Sequence, residues 1–290
     1  MAICRRVISA HLDLLALDPL LLRILPRVLG FALYSMTVCF VLRQYDLNLS
    51  AFRIAPLTLA AAPLWIHMMV RNNAAYERCW AARKLACTLV SEIRNLARAA
   101  TSFIPERSEQ RALLMEALAF CHFLRGQLRK TGSTNDAAFA DMEARLANPA
   151  DEMIRRMCSR TQSYRSLGAV DSIGFGILDE RLTSISGIQS ECEQIAARPM
   201  AFAHSLLVHR MAFIACLLLP IALNSTTGWA SPVFTAMIAY SFFGLDALSE
   251  ELEDPFAAAS DHPGLDGLFN ACEISVFETL GETPPKMILN

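Results

Sequence analysis

The chain has 290 residues, a formal net charge of −2 and nine scattered cysteines. Hydrophobic residues make up 54% of it and charged residues only 19%, whereas ordinary soluble domains are about 45–50% apolar. With a mean hydropathy of +0.34, this balance excludes a strongly basic nucleic-acid binder and points to a membrane protein with a sizeable aqueous part.

Arg5 and Arg6 precede an apolar run broken at His11, Asp13 and Asp18. That pattern reads as a cytosolic N-terminal helix over 1–23, not as a cleavable signal peptide. A bilayer core then needs about 20 mostly apolar residues per helix, and four segments come close. The first, "ILPRVLGFALYSMTVCFVL", predicts a span over 24–43. The second, "IAPLTLAAAPLWIHMMV", predicts one over 54–72. The third, over 200–223, has an uninterrupted part from Met211 to Leu223 that is too short to cross. Its helix must extend back through Arg210 and His209, so that end sits near the interface or faces a protein or water-filled interior. The fourth, over 231–249, begins "SPVFTAMIAYSFFGLDAL".

Basic residues set the expected orientation. Arg5, Arg6, Arg23 and Arg27 flank the first span, and Arg71, Arg78, Arg83 and Lys84 follow the second. The "NSTTGWAS" loop between the third and fourth spans carries no charge. By the positive-inside rule both termini, the 73–199 segment and the 250–290 segment are cytoplasmic. Within 73–199, Leu85, Leu89, Ile93 and Leu96 form an apolar stripe at helical spacing. Pro105 and Glu106 open another helix, "TGSTND" breaks it, and helical pieces follow near 136–147, 150–165 and 176–197. The expected fold class is an all-α membrane protein with a helical cytosolic domain.

Chemistry is sparse. There is no phosphate-binding loop, no GxSxG, no HExxH and no CxxC, so neither an enzyme, a cofactor nor a metal site is expected. His204 and His209 are five apart and read as interfacial polar residues. The acidic run Glu250, Glu251, Glu253 and Asp254 reads as a solvated or ion-paired helix end, with a hard-cation site as the rival. Trp229 and Trp80 fit interfacial roles. The polar candidates inside the spans, His67, Arg210 and Asp246, all lie towards the cytoplasmic ends. Passive permeation therefore fits better than coupled transport.

The second span runs without a breaker into "VRNNAAYERCWAARK". This stretch resembles the bestrophin signature F-R-x-N-x-A-Y-x-R-W-W-E-x-R, with Arg71, Asn73, Ala75, Tyr76, Arg78, Trp80 and Arg83 in register. "GLDALSEELEDPFAAASDHPGLD", containing Pro255 and Phe256, resembles the family's G-L-x-x-x-x-E-E-I-E-x-P-F-G motif. "RPMAFAHSLLVHR" resembles the family's lead-in to the third span. The resemblance covers nearly the whole chain and is strongest to the bacterial branch.

The resemblance implies a homopentamer with one central pathway for monovalent ions, set in the bilayer of a bacterial inner membrane. It implies that the second span lines an apolar neck and carries on as vestibule wall, which explains the missing breaker. Transferred by register, the neck falls on Ala55, Leu59 and Pro63, with Ile66 or His67 continuing the face. The inner constriction falls between about 170 and 180, with Ile177 as candidate and Ile173 and Asp171 as rivals. Cys79 replaces a family Trp, Ala81 a Glu and Ala257 a Gly, while Ala259 and His262 stand where animal members carry calcium-clasp acids. Calcium activation is therefore not expected. Pro63 cannot donate to the carbonyl of Leu59, so a kink is expected there. Bacterial resemblance points slightly to cations over chloride. The competing reading is a membrane-anchored helical scaffold or regulator that does not conduct.

Overall fold

The computed structural model describes residues 19–45, 54–129, 145–197, 202–253, 255–256 and 264–283. Every regular element among them is helical. The helices are α1 (Pro19–Gln44), α2 (Ile54–Phe103), α3 (Arg107–Arg129), α4 (Pro149–Ser166), α5 (Ser172–Ala197), α6 (Phe202–Thr227), α7 (Ser231–Glu253) and α8 (Gly264–Leu280). A short 3-10 turn, Gly228–Ala230, joins α6 to α7. Residues 1–18, the "TGSTND" break and most of the piece expected over 136–147 lie outside the described residues.

Local chemistry explains the boundaries. Helix α2 is 50 residues long and contains Pro63. No glycine or proline follows Pro63 until Pro105. The helix ends at Phe103 because Pro105 disfavours the α conformation at Ile104. Helix α4 starts with Pro149 in its first turn, and the Asn148 side chain accepts from the N–H of Asp151 at 3.1 Å. Its end turns at Gly168, whose φ of 69° few side chains tolerate. Asp171 then caps α5 by accepting from the N–H of Gly174 at 2.8 Å.

The chain divides into two compact units. The first comprises Met1–Glu77 and Met200–Glu253. Here α7 packs along α1 and α6, with Phe31 stacked on Phe243 at 5.5 Å and edge-on to Phe213 at 5.1 Å. Ser35, Ser231 and Thr235 are wholly buried, and the Ser35 and Thr235 hydroxyls are 3.2 Å apart. Small hydroxyl residues at helix crossings are the usual adhesive where apolar burial gives no advantage over lipid. Three helical stretches among the described residues are long and apolar enough to cross a membrane: Leu21–Gln44, Leu206–Asn224 and Gly228–Glu253. The segment over 54–72 is helical but is not among the three; a membrane-length stretch from Ala62 onward takes in Arg71, Glu77 and Arg78.

The second unit comprises Arg78–Pro199 and Asp254–Asn290. Helix α3 is its centre, packed by α4, α5 and α8. Phe120, Phe123, Leu113, Leu114 and Leu124 are wholly buried on it, against Ile93 and Leu96 of α2 and Leu178 of α5. Each such side chain stabilises the unit by about 1.5–3 kcal/mol through burial. Arg160 of α4 holds Glu116 at 2.7 Å and Glu109 at 3.2 Å. Burial and the hydrogen bond to Glu109 push the Tyr164 phenol above its ordinary range.

Candidate functional site

Helix α2 has two opposed faces. Leu64, Met68, Arg71, Ala75 and Cys79 are buried, and they recur every three or four residues, so they form one stripe. On the opposite side Ile66 and Val70 are each 61% exposed, Tyr76 and Trp80 each 60%, and Asn73 is exposed too. No ionisable side chain except His67 lies between Ile54 and Val70. The exposed side is therefore apolar through Val70 apart from His67, and polar or aromatic beyond it.

The sequence-predicted residues fall in three places. Ile66 is on the exposed face, with Val70 one turn further along it. Ala55 and Leu59 lie on α2, but their side chains are outside the described residues. Pro63 and His67 line a groove with Leu64 and with Leu207, Val208 and Met211 of α6. His67 Nδ1 is 3.2 Å from the carbonyl oxygen of Pro63.

Arg71, the first residue of the charged stretch, turns inward. Its Nε and Nη2 donate to Glu253 Oε1 at 3.1 and 2.8 Å, and Nη1 donates to Asp246 Oδ1. Asp246 Oδ2 is 2.7 Å from His209 Nδ1, which carries the proton of that bond. The Arg71 and Asp246 side chains are 2% and 3% exposed, and Glu253 26%. Glu250 pairs with Arg23 at 3.2 Å. At the acidic end of α7, Glu250 and Glu253 are thus both ion-paired, as is Asp246 further into the helix. Asp246 and Glu253 are two turns apart on one helix, which was the signal that both reach the same partner.

Arg210 behaves differently. It is exposed, one turn into the apolar stretch that starts at Leu206, and its neighbours Leu206, Leu207, Phe213, Ile214 and Leu217 are exposed as well. No carboxylate pairs with it among the described residues. An arginine at a bilayer centre costs about 2.5–3.5 kcal/mol; near the interface its long stem lets the guanidinium reach polar surroundings.

In the second unit, Arg78 donates to the carbonyl of Ile195, covering a last-turn oxygen of α5 where a cation is favoured. Pro255 and Phe256 are buried. Ile173, in the first turn of α5, is 72% exposed, whereas Ile177 is half-buried and packs against the core. Among the described residues no three His, Cys, Asp or Glu side chains converge to hold a metal.

The family model described as Bacterial/Fungal Bestrophin protein matches residues 11–278. The chain belongs to the bestrophin family. This bestrophin is 63% identical over 271 residues to the voltage-dependent anion channel-forming protein mll4386 of Mesorhizobium japonicum, covering 92% of this chain and 88% of that one. It is 33% identical over 274 residues to the voltage-dependent anion channel-forming protein YneE of Escherichia coli K12, covering 92% and 90%. The crystal structure of a bacterial bestrophin homologue from Klebsiella pneumoniae matches with a TM-score of 0.81 at 28% identity, over 91% of this chain and 99% of that one. In this bestrophin the motif's first arginine is a buried anchor, not an exposed charge, and its tyrosine and tryptophan are the exposed members.

Proposed function

We propose that this bestrophin is an ion channel that conducts monovalent ions passively, as a homopentamer with α2 of each subunit lining an apolar neck. Two features support the reading. The chain covers most of relatives named as anion channel-forming proteins. The observation that carries it is the exposed, uncharged face of α2 that ends at Val70, while Arg71 is held away from that face by Asp246 and Glu253. An exposed apolar face beside a sequestered arginine suits a water-filled path that must not carry a fixed positive ring at its narrowest part.

In this proposal 54–72 is a fourth span, both termini are cytoplasmic, and the neck extends from Ala55 and Leu59 to Ile66 and Val70. Pro63 and His67 flank it on the side of α6. The cytosolic constriction is assigned to Ile173, whose exposure suits a pore better than the half-buried Ile177. An apolar ring has no charge with which to choose ions. Resemblance to bacterial members favours cations, and the relatives' names favour anions; the reversal potential distinguishes them.

The test is flux through purified protein in liposomes under separate sodium and chloride gradients, comparing wild type with Ile66→Ala and Leu59→Ala. Flux that rises in either variant supports the neck. If wild type and variants insert and assemble but pass neither ion, the scaffold reading replaces it.

A further inference from the structure

We propose that the groove between α2 and α6 holds an acyl chain of an anionic phospholipid, with Arg210 binding the lipid phosphate. The groove has a volume of about 290 Å³ and is walled by Pro63, Leu64, Leu207, Val208 and Met211, with His67 as its one ionisable lining residue. All of these belong to the membrane unit. Leu207 and Met211 are 55% and 43% exposed at the groove's rim.

The charge argues for the occupant. Arg210 lies next to Met211 and three residues from Leu207, so it flanks the groove on the same helix. It sits amid exposed Leu206, Phe213 and Ile214. The other arginines at this end are engaged: Arg23 on Glu250, Arg71 on Asp246 and Glu253, and Arg27 6.0 Å from the Phe243 ring. Arg210 has no such partner among the described residues. A guanidinium fork beside an apolar slot matches a phosphate on a hydrocarbon chain better than it matches an apolar helix, and it favours a lipid of net negative charge over a zwitterionic one whose ammonium offsets the phosphate.

The inference rests on the membrane placement of α6 and does not need conduction, so a failed flux assay leaves it intact. Native mass spectrometry of the purified oligomer, titrated separately with phosphatidylglycerol and phosphatidylcholine, tests it. Phosphatidylglycerol should bind about fivefold tighter per site, the ratio that one arginine near an anionic surface supplies. Arg210→Gln should remove that preference at unchanged oligomeric mass, and Arg210→Lys should keep most of it. Leu207→Trp, which alters no charge, should fill the groove and weaken both lipids; it keeps the test decisive if Arg210→Gln does not assemble. The proposal is overturned if Arg210→Gln retains the preference or if Leu207→Trp binds lipid as wild type does. Wild-type oligomer that holds neither lipid, as when a second copy covers the groove, also overturns it.

Discussion

Replacing Arg71 with Met removes the one cation that satisfies two acidic groups of α7. The loss falls mainly on Asp246, whose side chain is 3% exposed and would keep only the His209 bond. Glu253 is 26% exposed and can turn to water, so its share is smaller. Removing one partner of a buried pair costs about 3–5 kcal/mol, and the exposure of Glu253 places Arg71→Met at about 3 kcal/mol. Asp246→Leu alone leaves the guanidinium with Glu253 only and should cost a similar amount. Together the two should cost less than their sum by about 2 kcal/mol, because neither then strands a buried charge. Reversible unfolding of purified protein by dodecyl sulfate in mixed micelles, followed by helical circular dichroism, measures all four corners of the cycle. Effects that add to within about 0.5 kcal/mol would show that the two side chains do not act as a unit, and the anchor reading would fail.

Other outcomes follow from the second unit. Glu273 is held below its ordinary carboxylate value by the hydrogen bond from His122, at 2.9 Å, against an opposing effect of burial and with further help from the charges of His122 and Arg125. Its stabilising contribution is therefore complete above about pH 4.5 and lost as pH falls through the lowered value. Glu273→Gln should flatten the acid limb of stability below pH 4.5, read by unfolding between about pH 3 and 6, with no change near neutrality in that slope; an unchanged acid limb refutes the pairing. Cys87 is exposed, whereas Cys121 and Cys192 are buried and burial pushes the Cys192 thiol up to about 12. Maleimide at pH 8 should label Cys87 before either of them by intact-mass analysis, and labelling of Cys192 at a matching rate would contradict that burial.

The sequence determined by itself what depends on chain-local chemistry. Apolar runs, arginine placement and the absence of breakers after Pro63 are local signals, and the helices Ile54–Phe103 and Arg107–Arg129 appear where they predict. The motif "VRNNAAYERCWAARK" and its companions likewise carried the family, which the match over residues 11–278 shows. Only the tertiary structure decided which way each side chain of that motif points. Arg71 looks like an exposed charge in the sequence, but Asp246 and Glu253, brought beside it from more than 170 residues away, let it be buried. Pro63 and His67 share a spacing with Leu59; both are exposed and also line a groove with residues of α6, while Ile66 and Val70 are exposed on the side away from Leu64 and Met68. Helical periodicity fixes which residues are neighbours on a helix; it does not fix which face a distant helix covers, because that depends on packing and charge contacts that form only in the fold.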